Sequence, residues 1–290
     1  MKYAGVIGYP LEHSLSPAFQ QAAFDHLKLD VRYEAWPTPP ERLAATVESL
    51  RAPDRLGANV TIPHKEGVVP MMDEVDELAR RVGAVNTIVN REGRLLGYNT
   101  DVEGFLRALK EDGGFDPAGS RALVAGAGGA ARAVVVGLIE AGAASVTVIN
   151  RTFPRATHLI DDLKPSAGDT QLNALPDMYA SWAGAALGCR LLINCTSVGL
   201  AGTPEEKESP LPVDLIPSGA LVFDLLYRPA QTRLMAAARK RGARVLGGLP
   251  MLIYQGAASF QLWTGLEAPL DIMFAAARKA LGLAGAKGRR

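Results

Sequence analysis

The sequence predicts an α/β protein of more than one domain, and three observations carry that prediction. At 290 residues the chain is longer than a single ordinary domain. Short β-rich runs alternate with helical stretches along its whole length, the pattern of parallel strands joined by helices. A strand-like run at residues 122–125 passes through a glycine-rich turn into a helical pattern at 130–141.

In order along the first third, strands are expected at residues 3–8, 31–36, 57–61 and 84–89. Helices are expected at 17–27, 40–50 and 75–81, the first opening on Pro17, since proline is tolerated in a first helical turn. A helix at 102–111 ends in Asp112-Gly113-Gly114, a stop signal. Strands then recur at 122–125, 145–149, 191–194, 221–224 and 243–246, with helices notably at 130–141 and 232–241. Two last helices, 251–263 and 269–281, have no partner strand and are expected to pack back on the first domain. Residues 203–210 are polar and proline-flanked, hence a loop, and the basic tail 285–290 is expected to fray. Domain boundaries follow at 1–101, 102–247 and 248–290. No internal repeat is evident.

Composition narrows the function. The chain is 48% hydrophobic and 21% charged, which is globular rather than disordered. A net charge of +1 gives no global field for nucleic acid or an anionic membrane, so a substrate's charge must be met locally. Two cysteines, Cys189 and Cys195, neither staple a secreted fold nor match a zinc spacing. No apolar stretch reaches membrane-spanning length and no signal peptide is recognisable, so a soluble cytoplasmic protein without a metal is expected.

The turn itself reads Gly126-Ala127-Gly128-Gly129-Ala130-Ala131, a G-x-G-x-x-A motif between strand and helix. The first glycine permits the tight turn, the second lets backbone approach a pyrophosphate, and the small last residue lets helix and strand pack closely. Phosphates would sit on the free N–H groups of the helix N-terminus. About 20 residues on, an NAD enzyme carries an acid for the ribose 2′-hydroxyl. Here stand Asn150, Arg151 and Thr152, then Arg155. Guanidinium groups suit a 2′-phosphate, so NADP is the expected cofactor.

Polar residues cluster at element ends in the first domain: Ser14 and Ser16, Thr61 and Lys65, Asn86 and Thr87, Asn99 through Asp101. Singly, Ser16 reads as a helix cap and Asp101 as the N-cap of the helix at 102–111. Together they point to a polyhydroxylated ligand.

These segments resemble the shikimate dehydrogenase family. The resemblance runs through Val6-Ile7-Gly8-Tyr9-Pro10, His13 to Pro17, Gly57 to Lys65, Gly83 to Thr87, Asn99-Thr100-Asp101, the Gly126 run, Asn150-Arg151-Thr152, Asp224-Leu225-Leu226-Tyr227, and Gly248 onward to Trp263-Thr264-Gly265. It covers nearly the whole chain, and the stretch around Thr61 and Lys65 is its most specific part. It implies an N-terminal α/β substrate domain plus a doubly wound Rossmann-type domain. The implied reaction is the reversible, NADP-dependent reduction of 3-dehydroshikimate to shikimate in aromatic amino-acid biosynthesis. Lys65 and Asp101 would be catalytic. Ser14, Ser16 and Tyr227 would hold the substrate carboxylate, and Thr61, Lys65, Asn86, Asp101 and Gln255 the ring hydroxyls. Gly126, Ala127, Gly128, Gly129 and Ala130 would cradle the pyrophosphate, with Asn150, Arg151, Thr152 and Arg155 on the 2′-phosphate side. Thr196, Ser197, Leu225 and Gly248 would line the nicotinamide end. Glu77 matches a position that the family sometimes uses near the cofactor, although a solvated acidic helix residue is the preferred reading of it. Cys195 stands where the family commonly has alanine, and a small buried hydrophobe is the expected role.

The expected site lies between domains at the carboxyl ends of the strands, with hinges near Asp101–Val102 and Gly247–Gly248. A monomer or homodimer with a small-molecule substrate fits, and no nucleic-acid or membrane partner is expected. Two rivals remain open: a quinate/shikimate dehydrogenase with relaxed substrate or NAD use, and a non-catalytic ligand sensor on the same fold.

Overall fold

The structure is a computed structural model that describes residues 1–283, so the expected basic tail lies outside the described residues. The described residues divide into two compact units: Met1–Gly104 together with residues 253–283, and Phe105–Leu252.

In the first unit the elements are β1 (Lys2–Gly8), α1 (Ser16–His26), β2 (Val31–Pro37), α2 (Leu43–Ser49), β3 (Arg55–Val60), β4 (Glu74–Val75), α3 (Glu77–Val82), β5 (Thr87–Arg91) and β6 (Arg94–Tyr98). α4 (Asp101–Glu111) follows. The strands form one six-stranded sheet in the order β2-β1-β3-β5-β6-β4. This sheet is mixed rather than parallel, which corrects the expectation. β1 runs parallel to β2 and β3, but β5 is antiparallel to both β3 and β6. The reason is local. Glu92 (φ 54°) and Gly93 (φ 85°) join β5 to β6, with Arg91 paired to Arg94. Two consecutive positive-φ residues make the two-residue turn that matches strand twist in a hairpin, and so short a link can only join antiparallel strands.

Other boundaries also shift. The strand expected at 84–89 runs from Thr87 to Arg91; ahead of it Val85 N leaves the sheet ladder and donates to Lys65 O at 2.8 Å. The helix expected from Val75 starts at Glu77, with Asp76 capping it by accepting from Ala79 N at 2.7 Å. The stretch expected as one helix at 40–50 divides into a 3-10 turn, Pro40–Arg42, and α2.

The core under this sheet gathers Ile7, Val47, Leu50, Ala58, Val60, Val85, Ile88 and Leu95, with Ala79 of α3. The last helices, α9 (Leu249–Thr264) and α10 (Leu270–Ala280), cover part of the unit. Phe260 meets Phe24 with ring centroids 4.8 Å apart, and Trp263 Nε1 donates to Ile88 O at 2.9 Å. Burying one such aromatic ring stabilises by roughly 1.5–3 kcal/mol. Gly57 makes the approach possible: at φ 145° it has no Cβ, which would stand 1.9 Å from Ile88 O and 2.8 Å from Trp263 Nε1.

The second unit contains β7 (Arg121–Ala125), α5 (Gly129–Glu140), β8 (Ser145–Asn150), α6 (Phe153–Leu163), β9 (Gln171–Pro176), α7 (Tyr179–Ala186), β10 (Leu191–Asn194), β11 (Leu221–Asp224), α8 (Arg233–Lys240) and β12 (Arg244–Gly247). α9 and α10 follow. All six strands are parallel in the order β12-β11-β10-β7-β8-β9. Read from the other edge, this is the doubly wound dinucleotide-binding order, in which the winding reverses between β7 and β10. The expectation omits β9 and α7. β9 sits at the sheet edge with a half-buried, polar-interrupted pattern that gives little strand signal. α5 is buried along most of its length, and Gly137 lets Phe105 of α4 come close: a Cβ there would lie 3.1 Å from Phe105 Cδ1. Leu123, Leu192, Val222, Leu234 and Ile216 anchor the core on the side that Trp182 of α7 closes.

Candidate functional site

In the first unit, four of the expected polar groups form one hydrogen-bonded cluster. Lys65 Nζ donates to Asp101 Oδ2 at 2.6 Å. Both side chains are largely shielded, at 15% and 6% exposure. The other carboxylate oxygen, Oδ1, accepts from Asn86 Nδ2 at 2.9 Å, and the same amide donates to Gln255 Oε1 at 3.3 Å. Asp101 is the first residue of α4, yet its carboxylate is spent on Lys65 and Asn86, so the reading of it as a simple helix cap is corrected. An ammonium and a carboxylate at this distance make a charge-assisted pair, stronger than a neutral bond and restricted in direction.

Local folding fixes each member. Lys65 is held through its carbonyl, which accepts from Val85 N at 2.8 Å. The turn before it closes by His64 N donating to Thr61 O at 3.0 Å, and His64 Nε2 lies 2.6 Å from Thr38 O. Asn86 Oδ1 accepts from Thr100 N at 2.8 Å, Asp101 N donates to Asn99 Oδ1 at 3.0 Å, and Asn99 Nδ2 donates to Ala84 O at 2.8 Å.

Behind this cluster lies a second layer of fully buried polar groups that the sequence reading does not assign. Ser259, one turn after Gln255 on α9, is its hub. Its Oγ lies 2.7 Å from Thr87 Oγ1, 3.2 Å from Thr100 Oγ1 and 2.9 Å from Gln255 O, and accepts from Asn59 Nδ2 at 2.9 Å. Tyr33 completes it by donating its phenol to Asn59 Oδ1 at 2.8 Å. Burial pushes the Tyr33 phenol well up, against a smaller opposing pull from its hydrogen bond with Ser16, so it stays a donor. Thr87 and Thr100 already stand among the polar clusters of the sequence, and Asn59 between Ala58 and Val60 in a buried strand is a further signal that points here.

Ser14 and Ser16 stand at the start of α1, where Leu15 occupies the cap position and Ser16 N donates to Ser14 Oγ at 3.4 Å. Ser16 is therefore not the cap. Thr61 is half-buried and Ser16 is buried. Glu77 is an exposed residue in the first turn of α3.

In the second unit, every expected cofactor residue falls at a carboxyl strand end or in the first turn of the helix that follows. Gly126 (φ 106°) follows β7, and a Cβ on it would lie 3.1 Å from Thr196 Cγ2 and 3.2 Å from Cys195 backbone. Gly128 is different: it has ordinary extended dihedrals at the N-cap of α5, and nothing lies within 4 Å of a Cβ built there. No steric demand of the protein requires glycine at 128. The open space lies at the start of α5, whose first N–H groups have no side-chain cap, so the backbone from Gly126 to Ala130 could hold a phosphate group.

Asn150 ends β8, and its Nδ2 donates to Thr152 O at 2.9 Å. Arg151, Thr152 and Arg155 are all exposed around the start of α6. Thr196 hydroxyl and amide both donate to Asn194 Oδ1, at 2.7 and 2.9 Å. Ser197 is exposed beside it. Gly248 N donates to Leu226 O at 3.0 Å, and a Cβ on Gly248 would fall 1.9 Å from Leu225 O, so glycine is obligatory there.

Asp224 ties these loops. It accepts from Thr232 Oγ1 at 2.6 Å, Asn194 Nδ2 at 2.9 Å and Leu226 N at 3.2 Å. Burial raises its carboxyl above the usual range against those three bonds. Tyr227, three residues on, has its phenol raised by burial and so is a neutral donor. Burial likewise raises the thiols of Cys189, to about 11, and Cys195, the latter helped by the Asp224 charge. Neither is a ready thiolate. Among the described residues no group of three or more His, Cys, Asp or Glu could hold a metal ion, and no helix is long and apolar enough to cross a membrane.

Three family models match the chain in succession. Residues 6–88 match the shikimate dehydrogenase substrate binding domain, 109–182 shikimate / quinate 5-dehydrogenase, and 248–278 the shikimate 5′-dehydrogenase C-terminal domain. A protein of Moorella thermoacetica named shikimate dehydrogenase (NADP(+)) is 48% identical over 284 residues, 96% of this chain and 92% of the relative. One of the same name from Methanopyrus kandleri is 45% identical over 93% of this chain and 92% of its own length. The crystal structure of shikimate 5-dehydrogenase from Thermus thermophilus in complex with NADP(H) and shikimate superposes with a TM-score of 0.86 at 44% identity. The match covers 97% of this chain and 100% of that one.

Proposed function

The chain belongs to the shikimate dehydrogenase family, and we propose that it interconverts 3-dehydroshikimate and shikimate with NADP(H). The observation that carries this reading is the shielded Lys65–Asp101–Asn86 cluster with Gln255 beside it. A polyhydroxylated ring needs several directional donors and acceptors in fixed places, and a ketone reduction needs one mobile proton; this cluster supplies both.

When bound, NADPH supplies the hydride. Lys65, as an ammonium, stabilises the charge that develops on the carbonyl oxygen and gives one proton from Nζ to it. In the oxidative direction the neutral amine takes that proton from the alcohol. Asp101 keeps Nζ in place through its 2.6 Å bond and accepts from a ring hydroxyl. Asn86, Gln255 and Thr61 hold the remaining hydroxyls. Ser14, Ser16 and the neutral Tyr227 phenol are the donors for the carboxylate, a set without net charge. Gly126 through Ala130 hold the pyrophosphate, while Asn150, Arg151, Thr152 and Arg155 meet the 2′-phosphate. Thr196, Ser197, Leu225 and Gly248 face the nicotinamide end.

The test is a two-by-two assay of the full chain with shikimate and quinate against NADP+ and NAD+. Shikimate with NADP+ is expected to be the best pair. Absence of turnover on that pair would overturn the proposal, and faster oxidation of quinate would replace it with the quinate/shikimate reading that the second family model also names.

A further inference from the structure

Arg151 is the exposed guanidinium at the end of β8, and the structure already gives it an anion. Its Nη1 lies 3.2 Å from Glu205 Oε1, a residue 54 positions away. The arginine is 82% exposed and the glutamate 35%. Glu205 is delivered by a folded loop. Gly199 N and Glu208 N both donate to its carbonyl at 3.0 Å, and Ala201 N donates to Arg228 O at 3.1 Å. Arg233 Nη1 donates to Lys207 O at 2.8 Å. The end of β8 lacks the acid that an NAD enzyme carries there, yet the tertiary structure brings a carboxylate to the adjacent arginine from elsewhere.

One guanidinium edge serves one anion at a time. We propose that Glu205 is a specificity-determining residue: an internal carboxylate that competes with the cofactor's 2′-phosphate for Arg151 and so moderates the preference for NADP over NAD. The inference rests on the assignment of Arg151 to the 2′-phosphate. A phosphate monoester carries about −1.5 to −2 charge at neutral pH, against −1 for the carboxylate, so it wins the exchange. Its net gain is reduced by the pair it breaks and by repulsion from the displaced carboxylate. NAD has no 2′-phosphate and makes no such demand on Arg151. Because the pair is exposed, the effect is a modest factor that salt screens.

The experiment measures Kd for NADP+ and NAD+ on the full chain in four forms: wild type, Glu205→Gln, Arg151→Ala and the double variant. Each is measured at low salt and at about 1 M salt, where the Debye length of about 3 Å is no longer than the pair's separation. Glu205→Gln is expected to tighten NADP+ roughly two- to fivefold at low salt, the range that an exposed ion pair commands. It should leave NAD+ unchanged, lose the gain at high salt, and have no effect in the Arg151→Ala background. Unchanged or weaker NADP+ binding by Glu205→Gln, or equal tightening of NAD+, overturns the inference. If Arg151→Ala weakens NADP+ at least tenfold while Glu205→Gln does nothing, only the competition falls. If Arg151→Ala leaves NADP+ affinity intact, the phosphate assignment falls and the competition with it.

Discussion

The substrate-side cluster and the cofactor turn solve opposite problems. Around Asp101, almost every polar atom is already bonded to another part of the protein, and the members other than the half-buried Lys65 are buried. Around Gly128, the helix N-terminus has no side-chain cap and a Cβ would meet nothing. The first region positions groups in advance, so that reaction requires little reorganisation. The second leaves donors unsatisfied, so that a ligand's phosphates complete them. Substitutions should therefore damage the two regions differently: in the first, stability and chemistry fall together, and in the second, affinity falls while the fold stands.

The largest effect is expected where the proton is carried. Lys65→Met should lower kcat by about 10²–10⁴-fold, the usual contribution of a positioned acid–base group. Substrate Kd should change far less, and near-normal turnover in steady-state assays would refute the assignment. Next comes the buried layer. Ser259→Ala strips a hydroxyl from Thr87, Thr100 and Asn59, and a buried polar group left short of a partner costs roughly 1–3 kcal/mol. Denaturant melts should show that loss, shikimate affinity should weaken, and NADP+ affinity should not move. A shift in NADP+ affinity would mean that the two regions are not separable. Gly128→Ala is the mirror image. NADP+ should bind about tenfold more weakly, which is about 1.4 kcal/mol. Thermal stability should fall by about 1 kcal/mol or less, since alanine is only a poorer helix cap at an unstrained backbone.

The smallest effect lies away from both sites. Arg51 beside Asp73, with the Leu95 amide, holds the Asp73 carboxyl below the usual carboxylate range. A depressed folded value contributes stability above the ordinary carboxylate pKa, and that stability is lost as pH falls through the lowered value. Asp73→Asn should therefore flatten the acid limb of a stability-versus-pH curve and change neither kcat nor cofactor affinity. An unaltered acid limb would remove this pair from the account.

How much of this was legible beforehand follows interaction range. The strand–glycine–helix unit at Arg121–Glu140 is readable because its cause is local: a φ of 106° at Gly126 and a turn too tight for side chains. The parallel order of the second sheet follows from alternation of strands and helices. The β5–β6 hairpin escapes because Glu92-Gly93 lacks the usual Asn or Asp before its glycine. β9 escapes because an edge strand needs little apolar pattern.

The sequence by itself determined the fold class, the glycine turn, the absence of an acid after β8 and the residue types that a proton transfer to a polyol requires. Those depend on steric rules and on chemistry carried within a few residues. Only the tertiary structure decided which groups meet. Lys65 reaches Asp101 across 36 positions, Asn59 reaches Ser259 across 200, and Glu205 reaches Arg151 across 54. A hydrogen bond or ion pair acts over a few ångströms, and no pattern in the chain states which distant residues packing will bring within that reach.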